Sequence, residues 1–386
     1  MKLVYIAGAR IPTEKAHGFQ IMKMCESFSS LEMEGEKLKV ELVVPKRANR
    51  IQEDPFEYYG IEKIFDVKKM PCADLMLLVS ESKISSLFLK TVAFFVRVFT
   101  FHFFTFFYIL FNKYDILYTR DKFFLFYTFL SKEVVYEAHT FPKKYSFYLP
   151  FFKKAKKIIV ITENLKEYFM EKGIKKEKIL VAPDGVDIEK FDIQCSKFEA
   201  RERLSLPQDK KIVLYTGHLY EWKGVYILAE ASRFLPEDTD VYFIGGTERN
   251  IKKFQEQTSD FRIKIMGHYP HSEIPYWLKA ADVLVLPNSG KSEISKKWTS
   301  PIKMFEYMAS NRPIVASSLP SIREVLDEEN ATLVDPDDAK SLSRGIKKVL
   351  QQYDFSDKIS NQAFVDVQDF TWGKRGRKII EFIINT

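Results

Sequence analysis

The sequence predicts an α/β protein with two Rossmann-like domains, each built around a parallel β-sheet. Short apolar, β-branched runs recur along the chain, and the segments between them are long enough to form helices, as in repeated βαβ units. The chain has 386 residues, which is too long for one hydrophobic core. Residues 181–187 include the turn-forming Pro183, Asp184 and Gly185, so a domain boundary is predicted there.

The predicted strands form two sets with a similar rhythm. In the first domain they cover residues 3–7, 40–44, 64–67, 115–119, 134–137 and 158–162. In the second they cover residues 211–217, 240–245, 263–267, 282–287, 313–317 and 331–334. We predict domains at residues 1–183 and 184–368, with a terminal segment at 369–386. Since ligands bind beyond the carboxyl ends of parallel strands, two facing sheets would define one cleft.

Composition narrows the class of protein. Apolar residues make up 46% and charged residues 29% of the chain, which is typical of a globular protein. Three scattered cysteines, Cys25, Cys72 and Cys195, offer no disulfide framework, so a cytoplasmic location is expected. Residues 1–9 are interpreted as a first strand and not as a signal peptide. A net charge of +7 favours anionic partners. No nucleic acid is expected among them, because the basic residues form no reader motif.

The loop after the first predicted strand is a candidate binding segment. It contains Lys15, His17 and Gly18 before a helix predicted to begin near Phe19. A glycine at a helix entrance lets backbone N–H groups approach a phosphate or an acceptor oxygen. Lys15 and His17 are assigned to the acceptor side. The competing interpretation is that Gly18 serves only the backbone conformation.

Polar residues also follow two later strands of the first domain. Arg120 and Asp121 follow one strand, and His139 follows the next. Arg120 and Asp121 are candidates for positioning an acceptor, and His139 for contacting a donor sugar or an acceptor. A structural hydrogen bond is the alternative for each of them.

An aromatic segment at residues 84–112 has Lys90, Arg97 and His102 as its only basic groups and contains no aspartate or glutamate. Its uninterrupted apolar stretch, residues 98–111, is short for a bilayer-spanning helix. A helix lying in the membrane interface fits better, and Lys153, Lys154, Lys156 and Lys157 would add attraction to anionic lipid. The alternative is a buried crossover helix of the first sheet.

The segment at residues 216–224 is the first candidate donor site of the second domain. Gly217 follows a strand, and His218 and Lys223 flank the entrance of the next helix. Such groups can hold a diphosphate, and Lys223 would neutralise charge that develops on a leaving nucleotide. The alternative for Lys223 is a surface lysine.

Two further strand ends carry weaker signals. Gly245 ends one strand, and His268 and Tyr269 follow the next one. Glycine permits close approach of the backbone to a ligand. Main-chain groups near His268 and Tyr269 are candidates for contacts with a nucleobase.

Residues 299–309 predict a helix entered through a hydroxyl cap. Thr299 or Ser300 is expected to cap, and Ile302 lies in the first turn, which forms a ready anion site. Lys303 and Glu306 are three apart and share a face. A carboxylate there is suited to accept hydrogen bonds from ribose hydroxyls. The alternative is an ordinary amphipathic helix.

These residues together resemble glycosyltransferase family four, the retaining nucleotide-sugar enzymes with the GT-B fold. The most specific parts are residues 183–187 with Phe191, residues 217–224, and residues 300–317. In the family, two glutamates stand eight positions apart, and Glu306 matches the second, which binds ribose. Trp298 occupies the place of the first, and His218 the place of a common arginine. His139 and Gly18 match the family's donor-side histidine and N-terminal glycine loop.

The resemblance implies two Rossmann-like domains facing across a cleft, with a C-terminal helix that crosses back to the first domain. It also implies front-face transfer, in which the acceptor hydroxyl attacks on the side from which the nucleotide leaves. Lys223, His139 and Glu306 are the residues expected to act in transfer. No cofactor is expected, and no metal, since no cluster has zinc-ligand spacing.

The expected function is transfer of a sugar from a nucleotide-sugar donor to a lipid-linked or cell-surface glycan acceptor. The protein is expected in the cytoplasm, with peripheral contact to an anionic membrane surface. Three alternatives stay open on the same architecture: a sugar-nucleotide epimerase, a phosphorylase, and a catalytically silent scaffold.

Overall fold

The computed structural model describes residues 1–33, 35–75, 87–142, 144–258 and 262–385. The chain forms two compact units. Unit 1 comprises Met1–Val160, Tyr168–Ala182 and Trp372–Thr386. Unit 2 comprises Ile161–Glu167 and Pro183–Thr371. Each unit is an α/β domain with a parallel sheet, as the sequence predicts.

Unit 1 contains a seven-stranded sheet whose spatial order is β5-β4-β1-β6-β7-β8-β9, and all neighbouring strands are parallel. Its strands are β1 (Lys2–Ile6), β4 (Lys39–Pro45), β5 (Asp66–Met70), β6 (Ile116–Thr119), β7 (Val134–Ala138), β8 (Lys157–Val160) and β9 (Ile179–Val181). A small antiparallel pair, β2 (Glu32–Met33) and β3 (Glu36–Lys37), precedes β4. The sequence-based prediction did not include β9, and it began β5 two residues too early.

The helices that begin in unit 1 differ greatly in length, and one of them is a long apolar crossover. They are α1 (Ala16–Ser29), α2 (Pro55–Tyr59), α3 (Leu87–Phe111), α4 (Tyr145–Lys154) and the terminal α15 (Trp372–Ile384). A 3-10 helix covers Lys122–Phe129 and another covers Lys176–Lys178. Helix α5 (Glu163–Glu171) follows β8.

Unit 2 contains a six-stranded parallel sheet in the order β12-β11-β10-β13-β14-β15. Its strands are β10 (Lys211–Thr216), β11 (Thr239–Ile244), β12 (Ile263–Gly267), β13 (Val283–Leu286), β14 (Ile314–Ser317) and β15 (Thr332–Val334). All six were predicted to within about two residues at each end. Most of them are buried apolar runs, whereas the edge strand β12 is only partly buried.

The helices of unit 2 cover both faces of this sheet. They are α6 (Ile188–Phe191), α7 (Lys197–Arg203), α8 (Val225–Ser232), α9 (Glu248–Gln257), α10 (Ile274–Ala280), α11 (Glu293–Lys297), α12 (Ile302–Ala309), α13 (Ala339–Gln351) and α14 (Tyr353–Asp366). Three short 3-10 helices cover Glu221–Lys223, His271–Glu273 and Val367–Asp369.

The core of unit 2 has two layers because side chains alternate across the sheet. Along β10, Leu214 belongs to one hydrophobic cluster, and Val213 and Tyr215 belong to the other. Both faces of the strand are therefore apolar, as expected for a parallel sheet covered by helices.

The terminal helix α15 packs on α1, so the end of the chain returns to unit 1, as predicted. The packing is close: a Cβ added at Gly376 would lie 2.1 Å from Ser27 Oγ. Ser27 Oγ also donates a hydrogen bond of 2.6 Å to the carbonyl of Trp372. A larger residue than glycine at position 376 would separate these helices.

Candidate functional site

Helix α12 has no hydroxyl cap, so the predicted cap at Thr299 or Ser300 is wrong. Pro301 occupies the N-cap position, with no side-chain cap hydrogen bond. Ser300 Oγ instead accepts a hydrogen bond of 3.1 Å from the backbone N–H of Asp184. The hydroxyl thus holds the segment that enters unit 2 and is not used at the helix start. Thr299, like Ile302, keeps part of its surface exposed.

Two lysines meet beside Gly217, at the carboxyl end of β10. A Cβ placed on Gly217 would lie 3.8 Å from Lys223 Nζ and 3.9 Å from Lys303 Nζ. Lys303 Nζ donates a hydrogen bond of 3.0 Å to the carbonyl of Thr216 and lies 3.6 Å from the ring centroid of Tyr215. The structure therefore brings together three of the predicted donor-site residues.

The charge of this lysine pair is balanced only in part, since the Glu306 carboxylate acts on Lys303 through space but forms no salt bridge with it. Within the described part of the chain, neither Lys223 nor Lys303 makes a salt bridge. Burial lowers the pKa of Lys223 to about 8. Burial and the neighbouring Lys223 together lower the pKa of Lys303 well below its usual value. An anion bound here would supply the missing counter-charge and raise both pKa values.

Glycines let the backbone come close to this site. Gly217 has φ +121° and Gly245 has φ +109°, a region that L side chains rarely adopt. A Cβ at Gly245 would also lie 2.7 Å from the carbonyl oxygen of Gly217. The loop between Lys223 and α8 depends on Gly224, where a Cβ would overlap the carbonyl oxygen of Pro287.

The carboxylate of Glu306 has a partner that the sequence did not indicate. His271 Nε2 lies 2.8 Å from Glu306 Oε1. Glu306 is buried, with 8% of its side chain exposed, whereas His271 is 31% exposed. The histidine therefore fixes one carboxylate oxygen and leaves the second available for other partners.

The other predicted donor residues of unit 2 lie just after strands. His218 follows β10, and His268 and Tyr269 follow β12. His218 stacks on Tyr220 with centroids 5.1 Å apart, and its carbonyl accepts a hydrogen bond from Tyr215 Oη. His268 is exposed. The Tyr269 ring packs edge-on against Trp277. Trp298 follows the short helix α11 and is half-buried.

In unit 1, helix α1 starts at Ala16, three residues before the predicted start. Gly18 therefore lies inside the first turn and not ahead of the helix. A Cβ at Gly18 would come within 2.2 Å of Tyr59 Oη, so packing against Tyr59 requires the glycine. Lys15 stands exposed at the N-cap. Burial, with Arg120 and Lys15 nearby, lowers the pKa of His17 to about 4.

His139 is held by a fully buried carboxylate, Glu137. His139 Nε2 lies 2.8 Å from Glu137 Oε1, to which Arg375 and Gln20 each donate a hydrogen bond of 2.7 Å. Tyr118 Oη donates to Glu137 Oε2 at 2.6 Å. Burial alone would raise the pKa of Glu137, but Arg375 and His139 hold it well below its usual range. The ionised carboxylate only accepts, so His139 Nε2 donates.

Arg120 and Asp121 also have structural partners. Arg120 Nη1 donates a hydrogen bond of 2.5 Å to Gln20 Oε1. Asp121 accepts from the backbone N–H of Phe123 at 3.0 Å and so caps the 3-10 helix at Lys122–Phe129. Burial raises the pKa of Asp121. The hydrogen-bond alternative weighed for these two residues is therefore present in the structure.

Two family models match the chain. The model described as Glycosyltransferase Family 4 matches residues 35–190, and the model described as Glycosyl transferases group 1 matches residues 210–352. The chain contains a domain of each of these two glycosyltransferase families. It is 24% identical over 201 residues to TuaC of Bacillus subtilis, a glycosyltransferase assigned to teichuronic acid biosynthesis. It is 29% identical over 180 residues to the D-inositol 3-phosphate glycosyltransferase of Xylanimonas cellulosilytica.

These alignments cover 52% and 43% of the chain, and 49% and 41% of the two relatives. The chain thus spans about half the length of the curated relatives it matches. Among solved structures, Anabaena HepE in complex with UDP and glucose superposes with a TM-score of 0.72 at 16% identity, over 100% of both chains. WaaG, a glycosyltransferase involved in lipopolysaccharide biosynthesis, superposes with a TM-score of 0.68 at 14% identity, again over 100% of both chains. The fold of this chain is therefore GT-B.

Sequence reasoning missed His271, Glu137 and Arg375 as candidate site residues. Glu137 lies two residues before His139, which was chosen instead because it follows the strand and matches the family's donor-side histidine. A charged residue inside a buried strand, with apolar neighbours on both sides, is a signal that could have identified Glu137. His271 and Arg375 carry no such local signal.

Proposed function

We propose that the chain transfers a sugar from a nucleotide-sugar donor to a lipid-linked or cell-surface glycan, with retention and without a metal or other cofactor. Family membership supports the general reaction. TuaC is assigned to teichuronic acid biosynthesis and WaaG is involved in lipopolysaccharide biosynthesis, which supports a surface-glycan acceptor. HepE has been solved with UDP-glucose, which makes this compound the first donor to test.

The observation that carries the proposal is the lysine pair beside Gly217, whose charge is balanced only in part. Placing two ammonium groups together without a carboxylate within salt-bridge distance is unfavourable in a folded protein. The arrangement becomes favourable when a polyanion binds, and the left-handed backbone of Gly217 keeps the space beside both Nζ atoms open. A diphosphate has the charge and the size to contact both.

The proposed step breaks the bond between the sugar's anomeric carbon and the terminal phosphate oxygen of the donor. The acceptor oxygen forms a new bond to the same face of that carbon, and its proton passes to the departing phosphate. Lys223 stabilises the negative charge that develops on the leaving group. Lys303 contributes in the same way, so no protein nucleophile is required.

Glu306 has the complementary task of binding the nucleoside. Its carboxylate, fixed on one side by His271, accepts hydrogen bonds from the ribose hydroxyls. The backbone of Gly245 and the segment at His268 and Tyr269 contact the donor as well. His139 and the acceptor-side residues Lys15, His17, Arg120 and Asp121 keep the roles predicted from the sequence.

A donor panel tests this function. Purified protein is incubated with UDP-, GDP-, ADP- and TDP-sugars plus a membrane extract that supplies acceptors, and release of the nucleoside diphosphate is followed together with incorporation of labelled sugar. We expect release and incorporation with at least one donor, and a loss of about 10²–10³-fold in the Lys223→Met variant.

The matched control is Lys358→Met, which removes an exposed lysine of α14 in the same unit. That variant should keep full activity. Sugar isomerisation without incorporation, or turnover that depends on free phosphate, would instead identify an epimerase or a phosphorylase. Equal activity of the Lys223→Met variant and the parent would reject the assigned role of this lysine.

A further inference from the structure

The exposed face of α3 consists mainly of large apolar side chains. Phe95, Phe99, Phe103, Phe107 and Phe111 recur every four residues and are all exposed, with 70% of Phe99 and 78% of Phe111 accessible. Side chains four apart lie on one side of a helix. A water-facing helix normally shows the opposite pattern, so this side of α3 is not built for contact with water alone.

The other face of α3 is anchored on unit 1. Phe101, Tyr108 and Ile109 belong to a buried cluster that includes Ile6 and Leu117 of the sheet. Helix α3 is the one helix among the described residues that is long and apolar enough to cross a membrane. Since it packs along the sheet, it is a crossover helix with one open face. Residues 84–86 of the aromatic segment lie outside the described residues.

The apolar surface continues onto two neighbouring elements. The rings of Phe94 and Phe123 contact each other with centroids 6.0 Å apart, which joins α3 to the 3-10 helix. Phe129 and Phe151 join that helix to α4 with a separation of 5.0 Å. We call the exposed apolar side chains of these elements the aromatic face; they are Leu87, Phe88, Leu89, Val92, Phe95, Phe99, Phe103, Phe104, Phe107, Leu110, Phe111, Phe126, Phe129, Leu130 and Phe147.

The segments that carry the aromatic face contain only basic charged residues. Residues 87–111, 122–132 and 144–157 contain no aspartate or glutamate. Exposed lysines of these segments that make no salt bridge among the described residues are Lys90, Lys122, Lys132, Lys144, Lys153 and Lys154. Lys154 Nζ lies 3.7 Å from the ring centroid of Phe129, so positive charge directly borders the aromatic surface.

We propose that the aromatic face inserts into the interface of an anionic lipid bilayer, with α3 lying parallel to the membrane plane. Phenylalanines would enter the acyl boundary, and the lysines would extend to anionic headgroups. A second copy of the chain fits less well, because self-association through this surface would oppose two lysine-rich rims. A spanning orientation would expose the packed face of α3 to lipid and strip its sheet contacts.

Vesicle binding tests the proposal with the whole protein. The protein is sedimented with vesicles of phosphatidylcholine alone or with 30% phosphatidylglycerol, at low and high salt. We expect partition to the anionic vesicles that falls at least about tenfold when salt rises from roughly 0.1 to 0.5 M, because headgroup attraction is screened. Extraction with alkaline carbonate should release the protein, as expected for a helix that does not span.

Matched variants identify the surface. The double variant Phe99→Glu with Phe103→Glu should lose at least about tenfold in partition, since two charges would enter the acyl boundary. Val365→Glu, which changes an equally exposed apolar residue of unit 2, should bind like the parent. Lys153→Glu with Lys154→Glu should bind more weakly and with less dependence on salt.

Other outcomes overturn the proposal. Undiminished binding of the phenylalanine variant would reject the aromatic face, and resistance to carbonate would reject the in-plane orientation. A concentration-dependent dimer that the phenylalanine variant abolishes, without vesicle binding, would assign the face to a second copy. The inference extends the proposed function, since a membrane-borne acceptor would be met here. Its test measures binding and not turnover, so the two can fail separately.

Discussion

Each unit contains a cluster of charged side chains near the end of its sheet. The two clusters differ in whether groups of the protein compensate the charge. In unit 1, the buried carboxylate of Glu137 accepts hydrogen bonds from four side chains, including Arg375. In unit 2, Lys223 and Lys303 share one space without a salt bridge among the described residues. The first cluster is complete within the protein, and the second requires an anion.

This difference separates structural charge from functional charge. A satisfied network rigidifies the protein and holds its members in place, so Glu137 and Arg375 fix His139. An unsatisfied pair costs stability and persists where a ligand compensates for it. Perturbed pKa values occur in both clusters, so the perturbation alone would not distinguish them. The two clusters are distinguished by whether the charged groups have partners within the protein.

The largest expected effect is on the stability of unit 1. Glu137→Ala leaves the guanidinium of Arg375 buried without its partner, and we expect the free energy of unfolding to fall by about 3–5 kcal/mol. Denaturation in urea measures this change in the free energy of unfolding. Tyr118→Phe, which removes one neutral donor to the same carboxylate, should cost only about 1 kcal/mol. Similar losses in the two variants would contradict a charge-centred network.

The second expected effect is on the pH dependence of nucleotide binding. The pKa of Lys223 is about 8 in the free protein, and a bound diphosphate raises it, so binding above that pH requires uptake of a proton. We expect affinity for UDP to fall by up to about tenfold per pH unit as the pH rises above this value. Titration calorimetry in buffers of different ionisation enthalpy measures both the affinity and the proton uptake.

In the Lys223→Met variant this alkaline decline should largely disappear, because the group responsible for it is absent. A decline of the same size in the variant would transfer the effect to Lys303 or to another group.

A smaller effect is expected at the ribose. His271→Ala removes the partner that fixes one oxygen of Glu306, which leaves the carboxylate free to rotate. We expect UDP to bind roughly 3–10-fold more weakly, the value of about one hydrogen bond. Pyrophosphate, which has no ribose, should bind as before. Equal weakening of both ligands would show that His271 acts through the diphosphate or through the fold.

The smallest effect sharpens the comparison between the clusters. Lys223→Met removes an ammonium whose burial is unfavourable, so the free energy of unfolding should stay the same or rise slightly without nucleotide. Thermal or urea unfolding of the free protein measures this. A loss above about 2 kcal/mol would mean that Lys223 has a structural partner, and unit 2 would then resemble unit 1.

Much of the fold could be predicted from the sequence because most strands are buried apolar runs. β5 is an edge strand with exposed Lys68 and Lys69, so its pattern does not stand out. β9 has three residues, too few for a periodic signal. Both cases follow from edge strands being paired by backbone hydrogen bonds more than by buried side chains.

The candidate site was predictable where strand, glycine and lysine follow each other in the chain, as at Gly217 and Lys223. It was not predictable where partners are distant: Arg375 and Glu137 are 238 positions apart. The predicted cap at Ser300 failed for the same reason, because Asp184, 116 positions away, uses that hydroxyl. Local patterns identify groups able to bind, whereas tertiary structure decides what they bind.

Helix α15 makes unit 1 discontinuous in sequence, and this affects when the unit can complete its folding during translation. The unit is assembled from Met1–Val160, Tyr168–Ala182 and Trp372–Thr386, and Arg375 belongs to the third of these segments. During translation, Glu137 leaves the ribosome long before its cationic partner has been made. Unit 1 therefore reaches its final packing only after Arg375 has been made, later than the described strands of unit 2.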